Sequence, residues 1–314
     1  MNNKAKYLSL PDLQKQLPVF FQPWWLNIVS KHWDIALADD NGVISGVWPF
    51  SMDKKIGLKL VRNPLLTPYL GPLFFFPEQL PEDQKASFEQ ATFQELWQQI
   101  PRWDSFDLEA NLSFTNDELF NQKGFDVTHH ITYETDLQQP EEKLFSAFHT
   151  NHRNLIKQAA QHNKVAEGKA SLPKLLALHK ETFSRKKKAY PFHADMIEQL
   201  VSESLKRDAG NLFAATDEED NITACIFTVW DSDKMYLLLS TVDLEQAHPG
   251  AVRLLIWHAI KTARDKGLKI FDFEGSMDPG IEAFFKRFGG TRKTYLCASK
   301  NKSLLWKIKK TILG

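Results

Sequence analysis

Five residues of this chain recur at one constant offset: Phe106, Asp107, Glu109, Phe120 and Gly124 match Phe271, Asp272, Glu274, Phe285 and Gly289 with no gap. The matching segments, FDLEANLSFTNDELFNQKG and FDFEGSMDPGIEAFFKRFGG, each read as an apolar strand, a polar turn and a short helix ending in glycine. Self-similarity at so long a period points to two copies of one structural plan rather than one continuous core. A length of 314 residues agrees, because single cores stop growing at roughly 250–300 residues. The expected division is an N-terminal domain over 1–140 and a C-terminal domain over 141–314.

The second copy is the easier to parse. Asn211–Thr216, Ile222–Trp230 and Met235–Thr241 are β-forming runs separated by the turns DEEDN and DSDK, which predicts a three-stranded antiparallel meander. Val252, Leu255, Ile256, Ala259, Ile260 and Ala263 then recur at helical spacing, with Gly250 before them and Gly267 as a stop. A strand over Leu268–Phe273 follows, then a helix capped by Asp278 with Pro279 in its first turn, then a last strand over Arg292–Ser299. Helices are expected upstream at Glu141–Gln161, Ser171–Phe183 and His193–Arg207. The first copy repeats the order with strands at Trp33–Ala38, Val43–Phe50 and Lys55–Val61, a helix at Pro81–Gln99, a strand at Phe106–Leu112, a short helix at Asn116–Gln122 and a strand at Phe125–Thr135. The fold class expected is α/β (α+β): two tandem domains, each a mixed, mostly antiparallel sheet flanked by helices.

Charge excludes one group of functions. Lys plus Arg and Asp plus Glu are balanced at 39 each, so no global field draws the chain to nucleic acid or anionic lipid, and such contacts need a local patch. Two patches qualify. Arg185–Lys188, followed by Tyr190 and Phe192, suits a phosphate of a nucleotide-linked acceptor or of RNA, or is a solvated helix end. The tail KNKSLLWKIKK mixes apolar residues with lysines, which suits either a membrane surface or packing on the second domain. No signal-like or membrane-spanning run is present, and a cytoplasmic protein is expected. Cys225 and Cys297 lie in apolar alternating stretches and read as small buried hydrophobes, so no disulfide and no metal site is expected.

The strand-turn-helix junction at Phe271–Phe288 sets a strand end beside a helix N-terminus, where free amides favour an anion or a carbonyl. Glu274, Ser276 and Asp278 lie there. Asp278 reads first as the helix cap. Under strand alternation Asp272 and Glu274 share the face opposite Phe271 and Phe273, which makes Glu274 either a general base or a salt-bridged structural acid.

The element order, the FDFEGSMDPGIEAFFKRFGG segment and the tandem arrangement resemble the FemAB-type branch of the GNAT acyltransferase superfamily. NPLLTPYLGP resembles the tyrosine-to-glycine-proline loop of Fem ligases, through Tyr69, Gly71 and Pro72, and NHRNLIKQA resembles the basic helix opening their second half, through Arg153 and Lys157. The resemblance implies transfer of an acyl or aminoacyl group to an amine without a covalent enzyme intermediate. It also implies an oxyanion site at splayed central strands, here Met235–Thr241 and Leu268–Phe273, with Tyr236, Ser240 and Glu274 lining it, although Tyr236 also reads as a core aromatic. Glu274 and Tyr236 are the catalytic candidates; Tyr69, Arg153, Lys157, Arg185, Ser240 and Ser276 are the substrate-binding ones.

Coenzyme A-dependent members of the superfamily cradle pyrophosphate in a glycine-rich loop, which would fall here on Gln246, Gly250 and Ala251. Pro249 replaces the first glycine of that pattern and removes an N–H from the phosphate site. The donor is left open between acyl-CoA and aminoacyl-tRNA, and the helical-hairpin arm of the bridge-forming Fem enzymes has no counterpart in the sequence. The expected acceptor is a small-molecule or cell-envelope precursor, or a nucleotide sugar, bearing an amine. The rival readings are a coenzyme A-dependent acetyltransferase active only in its second half, and a non-catalytic binding module.

Overall fold

A computed structural model describes residues 2–40, 42–275 and 277–303. Contacts divide the chain into two compact units. The first comprises residues 1–15, 20–130 and 294–314; the second comprises 16–19 and 131–293. Most of the last strand of the chain, from residue 294, falls in the first unit, and the strand over Asp126–Asp136 is divided between the two after residue 130.

The first unit holds helices α1 (Asn3–Leu8), α2 (Pro11–Gln16) and α3 (Pro23–Val29), strands β1 (Trp33–Asp40), β2 (Val43–Lys55), β3 (Leu58–Arg62) and β4 (Leu73–Phe74), helix α4 (Lys85–Gln98), strand β5 (Ser105–Glu109) and helix α5 (Glu118–Asn121). Strand β6 (Asp126–Asp136) leads onward into the second unit. The sheet of the first unit runs β1-β2-β3-β5 and is completed by the last strand of the chain, with β3 and β5 parallel and the other pairs antiparallel. Aromatic rings dominate its core. Trp48 stacks on Phe93, and Phe106 and Phe120 each meet Phe125 edge to face, an arrangement that adds about 0.5–1.5 kcal/mol per pair beyond burial.

The second unit contains α6 (Glu141–Ala147), α7 (Thr150–His162), β7 (Lys164–Glu167), α8 (Leu172–Arg185), α9 (Ala194–Lys206), β8 (Gly210–Thr216), β9 (Ile222–Trp230), β10 (Lys234–Val242), α10 (Ala251–Asp265), β11 (Ile270–Asp272) and α11 (Pro279–Lys286); β12 (Thr291–Asn301) closes the chain. Its sheet runs β6-β11-β10-β9-β8-β7. The β8-β9-β10 meander is antiparallel as its sequence indicates, and β10-β11 is parallel. Strand β9 is buried from Thr223 to Trp230 because helices cover both faces. Ala224 and Ile226 join the core beneath α10, whereas the intervening Cys225 turns its sulfur toward the carbonyl of Ser171 at the start of α8.

Helix α10 buries Leu255, Ile256, Ala259, Ile260 and Ala263, and each fully buried Leu or Ile contributes about 1.5–3 kcal/mol. It stops at Gly267, whose φ of 78° lets the amides of Gly267 and Leu268 reach the carbonyls of Arg264 and Ala263. The helix expected over Glu141–Gln161 is instead two helices. Phe148 is extended between them, and the His149 amide bonds the Arg287 carbonyl. Strand β7 went unforeseen, being short, polar and largely exposed.

Candidate active site

Strands β10 and β11 stay together for three rungs only, Lys234 with Ile270, Met235 with Phe271 and Tyr236 with Asp272. Strand β10 then continues to Val242 without β11, paired on its other side with β9. Two residues explain the parting. Glu274 and Gly275 adopt left-handed backbone, φ 57° and 61°, and the Glu274 amide donates to Asp272 Oδ1 at 2.8 Å. This turn carries the chain onto β6 so closely that a Cβ on Gly275 would lie 1.8 Å from the Ile131 carbonyl oxygen. At the same level β10 steps in register against β9 between Leu237 and Leu239, leaving Leu238 without a register partner. A bulge of this kind releases backbone polar groups from the ladder. A splayed strand pair and a bulge therefore meet at one point of the sheet.

A cavity of about 450 Å³ opens at the far end of β10. Its walls come from Ser240–Leu244, from Thr182 and Arg185 on α8, from Ala247–Pro249 with Val252 and Arg253 at the start of α10, and from Phe284 on α11. Two guanidinium groups give it positive character. Arg185 pairs with Glu181 at 2.9 Å. Arg253 lies 4.8 Å from the Phe284 ring centroid, donates to the Pro249 carbonyl and contacts Nδ1 of the buried His152 at 3.3 Å. Burial, then Arg253, lowers the His152 pKa to about 4, so this imidazole is neutral at pH 7. Burial raises the pKa of Asp243, but hydrogen bonds from Lys174 and from the amides of Gln246 and Glu245 outweigh it, and the carboxyl sits below its ordinary range.

The loop between β10 and α10 departs from a phosphate cradle. The Gly250 amide is taken by His248 Nδ1 at 2.9 Å, and the Ala251 amide by the His248 carbonyl at 2.8 Å. Gly250 is a glycine because a Cβ there would lie 2.1 Å from the Leu155 carbonyl oxygen on α7. Gln246 lines a separate depression beside Asp217, Glu218 and Glu219.

A buried polar cluster underlies the splay. Tyr236 donates to Asp231 Oδ2 at 3.0 Å, and Asp231 also accepts the amides of Val19, Asp233 and Lys234. Thr132 donates to Asp272 Oδ1 at 2.6 Å, and Glu134, across the rung from Asp272, pairs with Lys234 at 2.5 Å. Burial pushes Asp272 up to about 6 and holds Tyr236 well above its ordinary range.

The residues singled out by sequence are distributed as follows. Ser240 and Arg185 line the cavity. Tyr236 and Glu274 flank the splay, but β11 ends at Asp272, so Glu274 belongs to the left-handed turn and not to the alternating strand expected for it. Asp278 caps α11 by accepting the amides of Gly280 and Ile281. Arg153 donates to the carbonyls of Ser146 and Phe148 and to Thr150, stitching α6 to α7, and Lys157 is exposed on α7. Tyr69 is buried in the first unit between Phe20 and Tyr295. Ser276 and the Leu304–Ile308 part of the tail lie outside the described residues. Glu134, Asp231 and Arg253 carry no local sequence signal, whereas Asp272 carries two, its match to Asp107 in the repeat and its alternation with Glu274. One potential metal-ligand group exists among the described residues, Glu109, His130 and Cys297 in the first unit.

Residues 146–287 match the family model of the acetyltransferase (GNAT) domain. No curated protein matches the chain by sequence. Among solved structures it is similar to FemX, at 13% identity and TM-score 0.67, over 100% of this chain and 99% of that one. It is also similar to L-PGS from Bacillus licheniformis, at 12% identity and TM-score 0.53, over 92% and 89%. A tandem GNAT protein from the clavulanic acid biosynthesis pathway gives 8% identity and TM-score 0.51, over 89% and 86%. The chain thus has the fold of tandem GNAT proteins, and its residues 146–287 are similar to the acetyltransferase (GNAT) domain.

Proposed function

We propose that the protein transfers an acyl or aminoacyl group to an amine of a cell-envelope or nucleotide-sugar precursor, with the reacting carbonyl held where β10 and β11 part. The observation that carries this reading is the coincidence of the splay with the Leu238 bulge on the strand that leads to the cavity. The amine attacks the donor carbonyl and loses a proton, the oxyanion collapses, and the thiol or ribose hydroxyl of the donor leaves with a proton. Backbone amides around the bulge are suited to the oxyanion. Glu274, beside the splay, is the base assigned to the ammonium proton. Tyr236 is given a positioning role, because its hydroxyl serves Asp231.

For the donor, the occupied amides of Gly250 and Ala251 weigh against a coenzyme A pyrophosphate and favour an aminoacyl-tRNA terminus. A second reading, acetyl-CoA as donor, is favoured by the match of residues 146–287 to the acetyltransferase domain. Calorimetry with acetyl-CoA and with a charged tRNA separates them, followed by mass spectrometry of amine-bearing precursors incubated with each donor. In the productive assay Glu274→Gln is expected to lower kcat by about 10²–10⁴ with an unchanged melting temperature. Full turnover in that variant would remove Glu274 from the mechanism, and binding of neither donor would leave the non-catalytic module as the reading.

A further inference from the structure

Strands β5, β12 and β6 lie side by side, and each contributes one ligand-type residue of the first unit at the same level. Cys297 on β12 is the register partner of Glu109 on β5. His130 comes from β6, the other neighbour of β12. Their ligand atoms all lie within 4.8 Å of one another, and His130 Nδ1 is 3.5 Å from Glu109 Oε1. Two ligands on one tetrahedral Zn²⁺, with bonds of about 2.0–2.1 Å, are separated by about 3.4 Å. The imidazole and carboxylate therefore already stand at chelating distance, and a side-chain rotation brings in the sulfur.

We propose that Glu109, His130 and Cys297 bind one divalent cation of borderline softness, with Zn²⁺ as the expected occupant and water as the fourth ligand. The donor set selects the ion. Thiolate and imidazole suit Zn²⁺, whereas Mg²⁺ and Ca²⁺ require oxygen cages. The side chains of His130 and Glu109 are 32% and 41% exposed, which leaves a route in from solvent and room for the water. Tyr295, two residues before Cys297, meets the His130 ring edge-on at 5.7 Å and limits how far it turns. Binding requires the thiol to become a thiolate, so about one proton leaves Cys297 for each ion taken up at neutral pH. Coordination would tie the last strand of the chain to β5 and β6. Glu109 is the repeat counterpart of Glu274, so the same position of the duplicated motif would hold a metal in one unit and face the splay in the other.

The test uses the full chain, stripped with a chelator and titrated with ZnCl₂ against a chromophoric competitor, and separately with CoCl₂. One equivalent of each ion is expected, with a sulfur-to-cobalt charge-transfer band. Cys297→Ser and His130→Gln are each expected to weaken binding at least tenfold, while Cys225→Ser leaves it unchanged. A measurement on the unaltered chain guards against misfolded variants: Zn²⁺ should slow alkylation of Cys297 at least tenfold in peptide mapping, without effect on the already buried Cys225. Absence of stoichiometric binding, equal binding by Cys297→Ser, or alkylation of Cys297 indifferent to Zn²⁺ would each reduce the cluster to a carboxylate–imidazole ion pair. None of these readouts depends on acyl transfer.

Discussion

Tyr236 and Asp272 face each other on the last rung of the parallel β10-β11 pair, both buried and each tied to a separate partner, Asp231 and Thr132. The end of the parallel pairing is thus held by two groups whose ionised forms are disfavoured by burial. Burial of both side chains makes this end of the pairing sensitive to substitution and to pH.

Removing the Tyr236 hydroxyl leaves the buried Asp231 with its backbone donors only. Tyr236→Phe is expected to lower stability by about 1 kcal/mol, read from the urea midpoint, and to lower turnover less than tenfold. A loss of a hundredfold or more in kcat would move the hydroxyl into the chemistry.

For Asp272 the ordinary carboxylate value of 3.8 stands for the unfolded chain, against about 6 in the fold. The folded state therefore binds the proton more tightly. The stabilisation is fully present below pH 4 and is lost as pH rises through 6, amounting to at most about 3 kcal/mol. Asp272→Asn keeps an acceptor for Thr132 and Glu274 while removing the titration. Its denaturation free energy is expected to vary less than that of the parent between pH 4 and 7, and to exceed it at pH 7.5.

Gly250 tests packing against ligand binding. Because the Leu155 backbone occupies the space of a Cβ, Gly250→Ala is expected to destabilise the apo protein by more than about 2 kcal/mol. Thermal melts without any donor decide it: an unchanged melting temperature with weakened donor binding would restore the glycine to a phosphate-binding role.

Arg185 lines the cavity from the last turn of α8. Arg185→Ala is expected to weaken a phosphate-bearing donor about ten- to a hundredfold, the worth of one charge-assisted bond, and to flatten the salt dependence of binding. Stability should hardly change, because the Glu181 pair lost with it is at the surface. Equal donor affinity and salt slope in the variant would place the donor elsewhere.

Much of the second unit was legible residue by residue. The β8-β9-β10 meander, the buried stripe of α10, the glycine stop at Gly267 and the Asp278–Pro279 start of α11 all depend on neighbours within a few positions, and local periodicity and capping chemistry report them directly. The break at Phe148 was not legible, because the Arg287 carbonyl that engages the His149 amide lies far along the chain.

By itself the sequence determined the two-copy plan, the order of elements from β8 to β12 and the ends of α10, since each is written in short-range pattern or in the Phe106/Phe271 repeat. Only the tertiary structure decided that β10 and β11 part after Tyr236 and Asp272, that Gly250 and Gly275 are demanded by backbone pressed against them, and that Glu109, His130 and Cys297 share one place. The physical reason is common to all three. Each depends on the register or close approach of segments distant in sequence, and no periodicity within a single strand or helix encodes which distant residue will stand opposite.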